Sequence, residues 1–131
     1  MGGDAGRPPR QALPRSRRIT RGSEIRGIFQ RGKRSRTAHL DVFDSASPGA
    51  HARVAVIVPR YGRRVVDRNR VKRRLREIAR REILPRLDAG GLAADVLVRA
   101  RREAYGATYR QLHEELTAWV EKRWSHAPSS S

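Results

Sequence analysis

Apolar positions along this chain change period several times, and each change marks an element. Ile25, Ile28 and Phe29 recur at helical spacing before Gly32, which predicts a short helix over about residues 23–31. Ala38, Leu40 and Val42 then alternate with His39, Asp41 and Phe43, the period of a strand over residues 37–44. Pro48-Gly49 is a turn signal, and the run from Arg53 to Val58 is a buried strand closed by Pro59. Val71, Leu75, Ile78 and Ala79 return to helical spacing, so a helix is expected from about Val66 to Leu84, with Asp67 as N-cap and Pro85 as its stop. Gly90-Gly91 precede a strand over Asp95–Ala100. A last helix is expected over residues 109–124. Thr108 and Gln111 form its capping box, and Tyr109, Leu112, Leu116, Trp119 and Val120 form its apolar stripe.

Leu13 to Ile19 reads as an extended segment docked through its two apolar ends. Residues 1–12 read as a disordered basic tail, 13–124 as a single domain and 125–131 as a second disordered tail. A short extra strand near Arg60–Val65 completes the set. The order predicts an α+β fold, a small αβ sandwich with a central four-stranded sheet and about three helices. There is no internal repeat.

Charge changes the picture most. The 131 residues carry a net charge of +17 and a pI near 11.8, so the free protein repels itself and a polyanion is the expected partner. Of the 30 cationic residues only Lys33, Lys72 and Lys122 are lysines. Arginine's planar fork suits phosphate and stacks on bases, although a GC-rich genome produces the same bias. With no cysteine, disulfides, zinc–thiolate sites and thiol catalysis are excluded. No apolar run is long enough to span a membrane, so a cytoplasmic protein is expected.

The cations concentrate in the predicted long helix. Between Arg60 and Arg81 stand eleven Lys/Arg residues against the two acids Asp67 and Glu77. Within Arg68–Arg76 the apolar residues are Val71 and Leu75 alone, and no acid stands among the cations. A solvated helix face would not normally concentrate such self-repulsion; RNA or another nucleic acid relieves it. Asn69, between two arginines, suits phosphate or ribose contacts, or a capping role beside Asp67.

Arg68-Asn69-Arg70-Val71-Lys72-Arg73, followed by Leu75-Arg76-Glu77, resembles the RNR helix of the bacterial ribonuclease P protein family. Leu13-Pro14-Arg15 with Arg18-Ile19, Ile25-x-x-Ile28-Phe29-x-x-Gly32, Val54–Val58 and Asp95–Ala100 resemble other segments of that family in the same order, covering roughly residues 13–124. The resemblance implies a subunit that assists a catalytic RNA in removing the 5′ leader of precursor tRNA. It implies that Arg60, Arg63, Arg64, Arg68, Asn69, Arg70, Lys72, Arg73 and Arg76 face the RNase P RNA. A leader cleft then falls on Ile25, Phe29 and Phe43, and the β-α-β crossover around the helix is left-handed, against the general rule.

The chain departs from the family where Ile25 replaces an aromatic, and where Pro59-Arg60-Tyr61 replaces a small-Lys-Lys stretch. Tyr61 is then a candidate compensating ring for the cleft. From the residues alone, Phe29 and Phe43 read equally as core, although Phe43 has the opposite parity to Leu40 and Val42. An aromatic on a sheet face beside cations is a platform for unpaired bases.

No catalytic residue is expected in the protein. His39, His51, His113 and His126 are scattered, and no phosphate-binding glycine loop precedes Lys72. Asp41, Asp44 and Glu24 are the carboxylates with any prospect of holding Mg²⁺. Mg²⁺ is instead expected with the RNA, and no membrane or small-molecule cofactor is expected. The alternative is a non-catalytic RNA-binding protein such as a ribosomal protein. A DNA-binding helix lacks the helix-turn-helix partner it would need.

Overall fold

The structure, a computed structural model, describes residues 13–124; the two expected tails lie outside the described residues. Helix α1 (Gly22–Arg31) is followed by strands β1 (Lys33–Arg36), β2 (Leu40–Ala46) and β3 (Arg53–Ile57). Helix α2 (Val65–Ile78) runs through a π-helical turn (Ala79–Ile83) into α3 (Leu84–Ala89). Strand β4 (Ala94–Ala100), a 3-10 turn (Arg102–Gly106) and helix α4 (Tyr109–Arg123) complete the order. The strands form one mixed sheet, β1-β2-β4-β3, in which only β3 and β4 run parallel. Parallel neighbours need a crossover, and α2 with α3 supplies it.

The α+β class and the four strands agree with the sequence pattern, but the fourth strand is not where the pattern put it. Residues 60–65 make no strand. The Arg63 N–H donates to the Arg60 carbonyl at 2.8 Å, closing a tight turn, and Tyr61 and Gly62 have φ of 51° and 81°. Gly62 takes that conformation freely, whereas Tyr61 is strained by it. The missing strand is Lys33–Arg36 at the sheet edge. It has no apolar alternation to reveal it, and its charges are what keep an open edge from pairing with other chains. Gly32 makes the bend from α1 into β1 possible, because a Cβ there would lie 2.6 Å from the Ile28 carbonyl oxygen. The segment before α1 is not fully extended either, since a 3-10 turn occupies Arg15–Arg17. Leu13 and Ile19 are nevertheless both buried.

Two expectations about the basic helix also change. Its N-cap is Arg64, without a side-chain cap; Asp67 sits inside the first turn, where it accepts from Arg64 Nε at 3.2 Å and favours the positive helix end. Asn69 lies beyond the first turn and caps nothing. Nor does Pro85 stop the helix. The Leu84 N–H reaches back five residues to Ala79, and the widened turn places Pro85 in the first turn of α3, where no backbone N–H is required. The last helix keeps its expected capping box, with Gln111 N–H to Thr108 Oγ1 at 3.0 Å and Thr108 N–H to Gln111 Oε1 at 2.9 Å.

The sheet has two unlike faces. On one, Leu40, Val42, Val54, Val96 and Val98 meet Val71, Leu75, Ile78, Leu87, Leu112 and Leu116 in the main core. On the other, Phe43, Leu97 and Ala55 form a row across neighbouring strands, and with Ile19 and Ile28 they make a smaller core under α1. Three buried aspartates hang from the sheet, and arginines meet all three. Asp95 takes Arg53 at 2.8 and 3.0 Å, Asp44 takes Arg123 of α4 at 3.0 Å through both oxygens, and Asp41 takes Arg36 at 3.0 Å. Arg53 also reaches Glu24, tying α1 to the sheet.

Candidate nucleic-acid interface

Helix α2 is held to the main core by Val71, Leu75 and Ile78, which are essentially inaccessible. One turn apart on its flank stand Arg68, Lys72 and Arg76, each half-buried. Among the described residues no carboxylate lies within ion-pair distance of these three or of the exposed Arg73. Burial pushes the Lys72 ammonium below its ordinary range, and Arg76 and Arg68 add to the shift. Burial likewise pushes Arg76 down, helped by Arg18 and Arg68. These cations destabilise one another in the free protein, and a polyanion would relieve them.

The remaining predicted residues continue this surface. Arg68 Nε donates to the Val58 carbonyl at 2.9 Å and Nη1 to Asn69 Oδ1 at 3.4 Å, which steers both side chains. Asn69 and Arg70 are exposed; Arg70 and Arg64 share Asp67 at 3.8 and 3.2 Å. Arg60 Nε donates to the Arg63 carbonyl at 3.1 Å. Arg74 turns the other way, to the Ala107 carbonyl at 3.2 Å, and serves the fold. Arg18 was not among the predicted RNA-facing residues. Its segment joins β3 through an Arg18–Val54 bridge and the Ile19 N–H to Val54 carbonyl bond of 3.0 Å. That docking brings Arg18 near Arg76, and no local pattern in the sequence signals it.

A second region lies on the far face of the sheet, beside α1. Phe29 is 37% exposed and meets the buried Phe43 edge-to-face, with centroids 4.8 Å apart. Ile25 packs on the same small core. The Arg34 guanidinium lies 5.9 Å from the Phe43 ring centroid. Arg36, Asp41, Arg99 and Ile57 stand in register in the next row of that face. Burial pushes the Asp41 carboxyl up, but the Arg36 hydrogen bond and the charges of Arg34 and Arg36 outweigh it and hold it below the usual carboxylate range. Arg34 and Arg99 thus share this face of the sheet with Phe43 and Asp41, although the sequence pattern did not single them out. Strand parity, with Arg99 two residues from Leu97, was the available signal. Tyr61 is not with this group: its ring contacts are Tyr105 and Arg102, and its hydroxyl donates to the Ala100 carbonyl at 3.1 Å.

The described histidines and the candidate carboxylates lie apart from one another. His39 pairs with Glu115, and His113 with Glu82 at 2.8 Å. His51 is exposed, and His126 lies outside the described residues. Asp41, Asp44 and Glu24 are each bonded to a different arginine rather than converging, so these carboxylates do not fit a shared Mg²⁺. No group of three metal-binding side chains occurs among the described residues, and no described helix is long and apolar enough to cross a membrane.

Comparison with known proteins matches this arrangement. The model of the family described as Ribonuclease P matches residues 13–123. The ribonuclease P protein component of Desulfovibrio desulfuricans is 38% identical over 128 residues, covering 93% of this chain and 94% of that one. That of Thermus scotoductus is 41% identical over 75 residues, covering 57% of this chain and 42% of that protein. Among solved structures, the RNase P protein of Staphylococcus aureus superposes with a TM-score of 0.68 at 25% identity, over 81% of this chain and 93% of that one. The Thermotoga maritima RNase P protein shares the fold, with a TM-score of 0.66 at 21% identity, over 80% of this chain and 96% of that one.

Proposed function

The chain belongs to the ribonuclease P protein family, and from that premise we propose how its two surfaces divide the work on RNA. It is a protein component of the endoribonuclease that matures tRNA 5′ ends, and its partner is RNA. Residues 13–124 act as one RNA-binding domain. Helix α2 and the turn before it anchor the RNase P RNA, through Arg60, Arg63, Arg64, Arg68, Asn69, Arg70, Lys72, Arg73 and Arg76. The observation that carries this reading is the stripe of Arg68, Lys72 and Arg76, three half-buried cations that no carboxylate among the described residues neutralises.

The groove beside α1 takes the unpaired 5′ leader of precursor tRNA. The exposed Phe29 ring offers a stacking face, Phe43 and Ile25 support it, and Arg34 and Arg99 supply cations for the leader's phosphates. The protein contributes no reacting group. It offsets the repulsion between two polyanions and fixes their relative placement, which lowers the entropic cost of reaching the scissile bond. Mg²⁺ is assigned to the RNA in this reading; the protein's candidate carboxylates, each bonded to a different arginine, do not converge on a shared ion. The whole assembly works in the cytoplasm, with its RNA partners.

Reconstitution tests this division. The full chain added to a bacterial RNase P RNA at low Mg²⁺ is expected to restore cleavage of precursor tRNA, and no restoration would defeat the reading. In the same assay Phe29→Ala is expected to weaken leader-bearing substrate by roughly tenfold while leaving mature tRNA unaffected, the scale of one lost base stack. Equal losses for both would place Phe29 outside the leader groove.

A further inference from the structure

Strands β3 and β4 run parallel, so the loops that follow them leave the same end of the sheet. One carries Tyr61 and the other Tyr105. Their rings meet edge-to-face at 6.3 Å and 88°. Each hydroxyl is fastened to backbone at the end of the other strand, Tyr61 to the carbonyl of Ala100, the last residue of β4, at 3.1 Å and Tyr105 to the Pro59 carbonyl just beyond β3 at 2.7 Å. Each ring in turn carries a guanidinium. Arg102 lies 4.7 Å from the Tyr61 centroid, and Arg63 lies 5.0 Å from the Tyr105 centroid. Both arginines are exposed, and among the described residues neither has a carboxylate within ion-pair distance. The cluster adjoins the basic helix, since Arg68, Arg63 and Arg60 all act electrostatically on Tyr105.

A guanidinium laid on an aromatic ring loses rotational freedom, while its N–H edge stays free for a phosphate. Two such forks, held by rings that are themselves tied to backbone, make a preorganised grip. Tyr61 reaches its place only through a left-handed backbone that a bulky residue avoids. Such strain persists where surrounding contacts over-determine it, and it concentrates at binding sites.

We propose that Tyr61, Tyr105, Arg63 and Arg102 form a second phosphate clamp at the sheet end, which grips the backbone of the RNase P RNA beyond the basic helix. The proposal rests on the anchoring role of α2 and extends it to Arg102, on a different loop. It also gives Tyr61 a role away from the leader groove.

The test is equilibrium binding of a bacterial RNase P RNA to the full chain over a salt series, with the Arg68→Ala/Arg70→Ala double variant as reference and thermal melting as a check on folding. Arg102→Ala is expected to weaken binding roughly tenfold and to lower the salt slope by about one. Arg102→Lys is expected to keep the slope but recover only part of the affinity, because an ammonium has no plane to lie on the ring. Tyr61→Asn accepts the left-handed backbone and is expected to stay folded while binding more weakly. Unchanged affinity and slope in Arg102→Ala, with both lowered in the double variant, would overturn the clamp and spare the anchor. No loss in the double variant would remove the anchor, and the clamp with it. A loss confined to precursor tRNA, with RNA-subunit affinity intact, would also overturn the proposal.

Discussion

The arginines of the sheet and the arginines of helix α2 differ in what faces them. Arg53, Arg123 and Arg36 each meet a buried aspartate, and Arg53 and Arg123 do so through both carboxylate oxygens. Arg68, Arg73 and Arg76 meet no carboxylate among the described residues, and Arg76 is pushed down by burial and by its cationic neighbours. One residue type therefore serves two ends. Paired, it fastens α1 and α4 to the sheet; unpaired, it leaves a positive surface that only a polyanion can neutralise. Total charge cannot separate these roles, whereas the presence or absence of a carboxylate partner does.

Removing a partner from the paired class should have the largest effect. Arg123→Leu leaves Asp44 buried without its cation, and a loss of about 3–5 kcal/mol in chemical denaturation is expected. The salt slope of RNA binding should not change. A change in slope would show that Arg123 also faces RNA.

Asp41→Asn moves residues from one class to the other, since it frees Arg34 and Arg36 beside the proposed leader groove. A loss of about 1–2 kcal/mol is expected, together with tighter precursor-tRNA binding and a steeper salt dependence. The Asp41 carboxyl lies below its ordinary 3.8 in the folded chain. Its contribution is therefore present above about pH 4 and is lost as pH falls through the depressed value. Melting curves in acid should accordingly show a shallower fall for the variant than for the native chain.

The smallest effect falls on the unpaired class. Arg76→Leu removes a half-buried cation from a repelling stripe, so the free protein should gain about 0.5 kcal/mol. The same variant should bind RNase P RNA more weakly. Loss on both counts would mean that Arg76 holds the fold.

The elements of the main core were legible because burial repeats. Val71, Leu75 and Ile78 keep helical spacing, and Leu112, Leu116 and Val120 do the same behind a local capping box. Where no side chain is buried the signal vanishes, as in Lys33–Arg36, a strand made by hydrogen bonds to β2. At Pro85 a correct rule met an unforeseen remedy, the π-turn that lets the chain re-enter a helix. Of the candidate interface, the α2 residues were legible because they are contiguous. Arg18, Arg34, Arg99 and Arg102 were not, because their significance depends on neighbours far away in sequence.

The sequence alone thus determined the family, the polyanion partner and the helix that carries the densest charge, because each is written in local order or in net composition. Only the tertiary structure decided which cations are spent on buried aspartates, that Tyr61 joins Tyr105 rather than Phe29, that Arg18 comes near Arg76, and that Arg102 lies on the Tyr61 ring. The physical reason is that electrostatic energy depends on distance in space. Distance in space is set by strand register and loop geometry, which residue spacing along the chain does not contain.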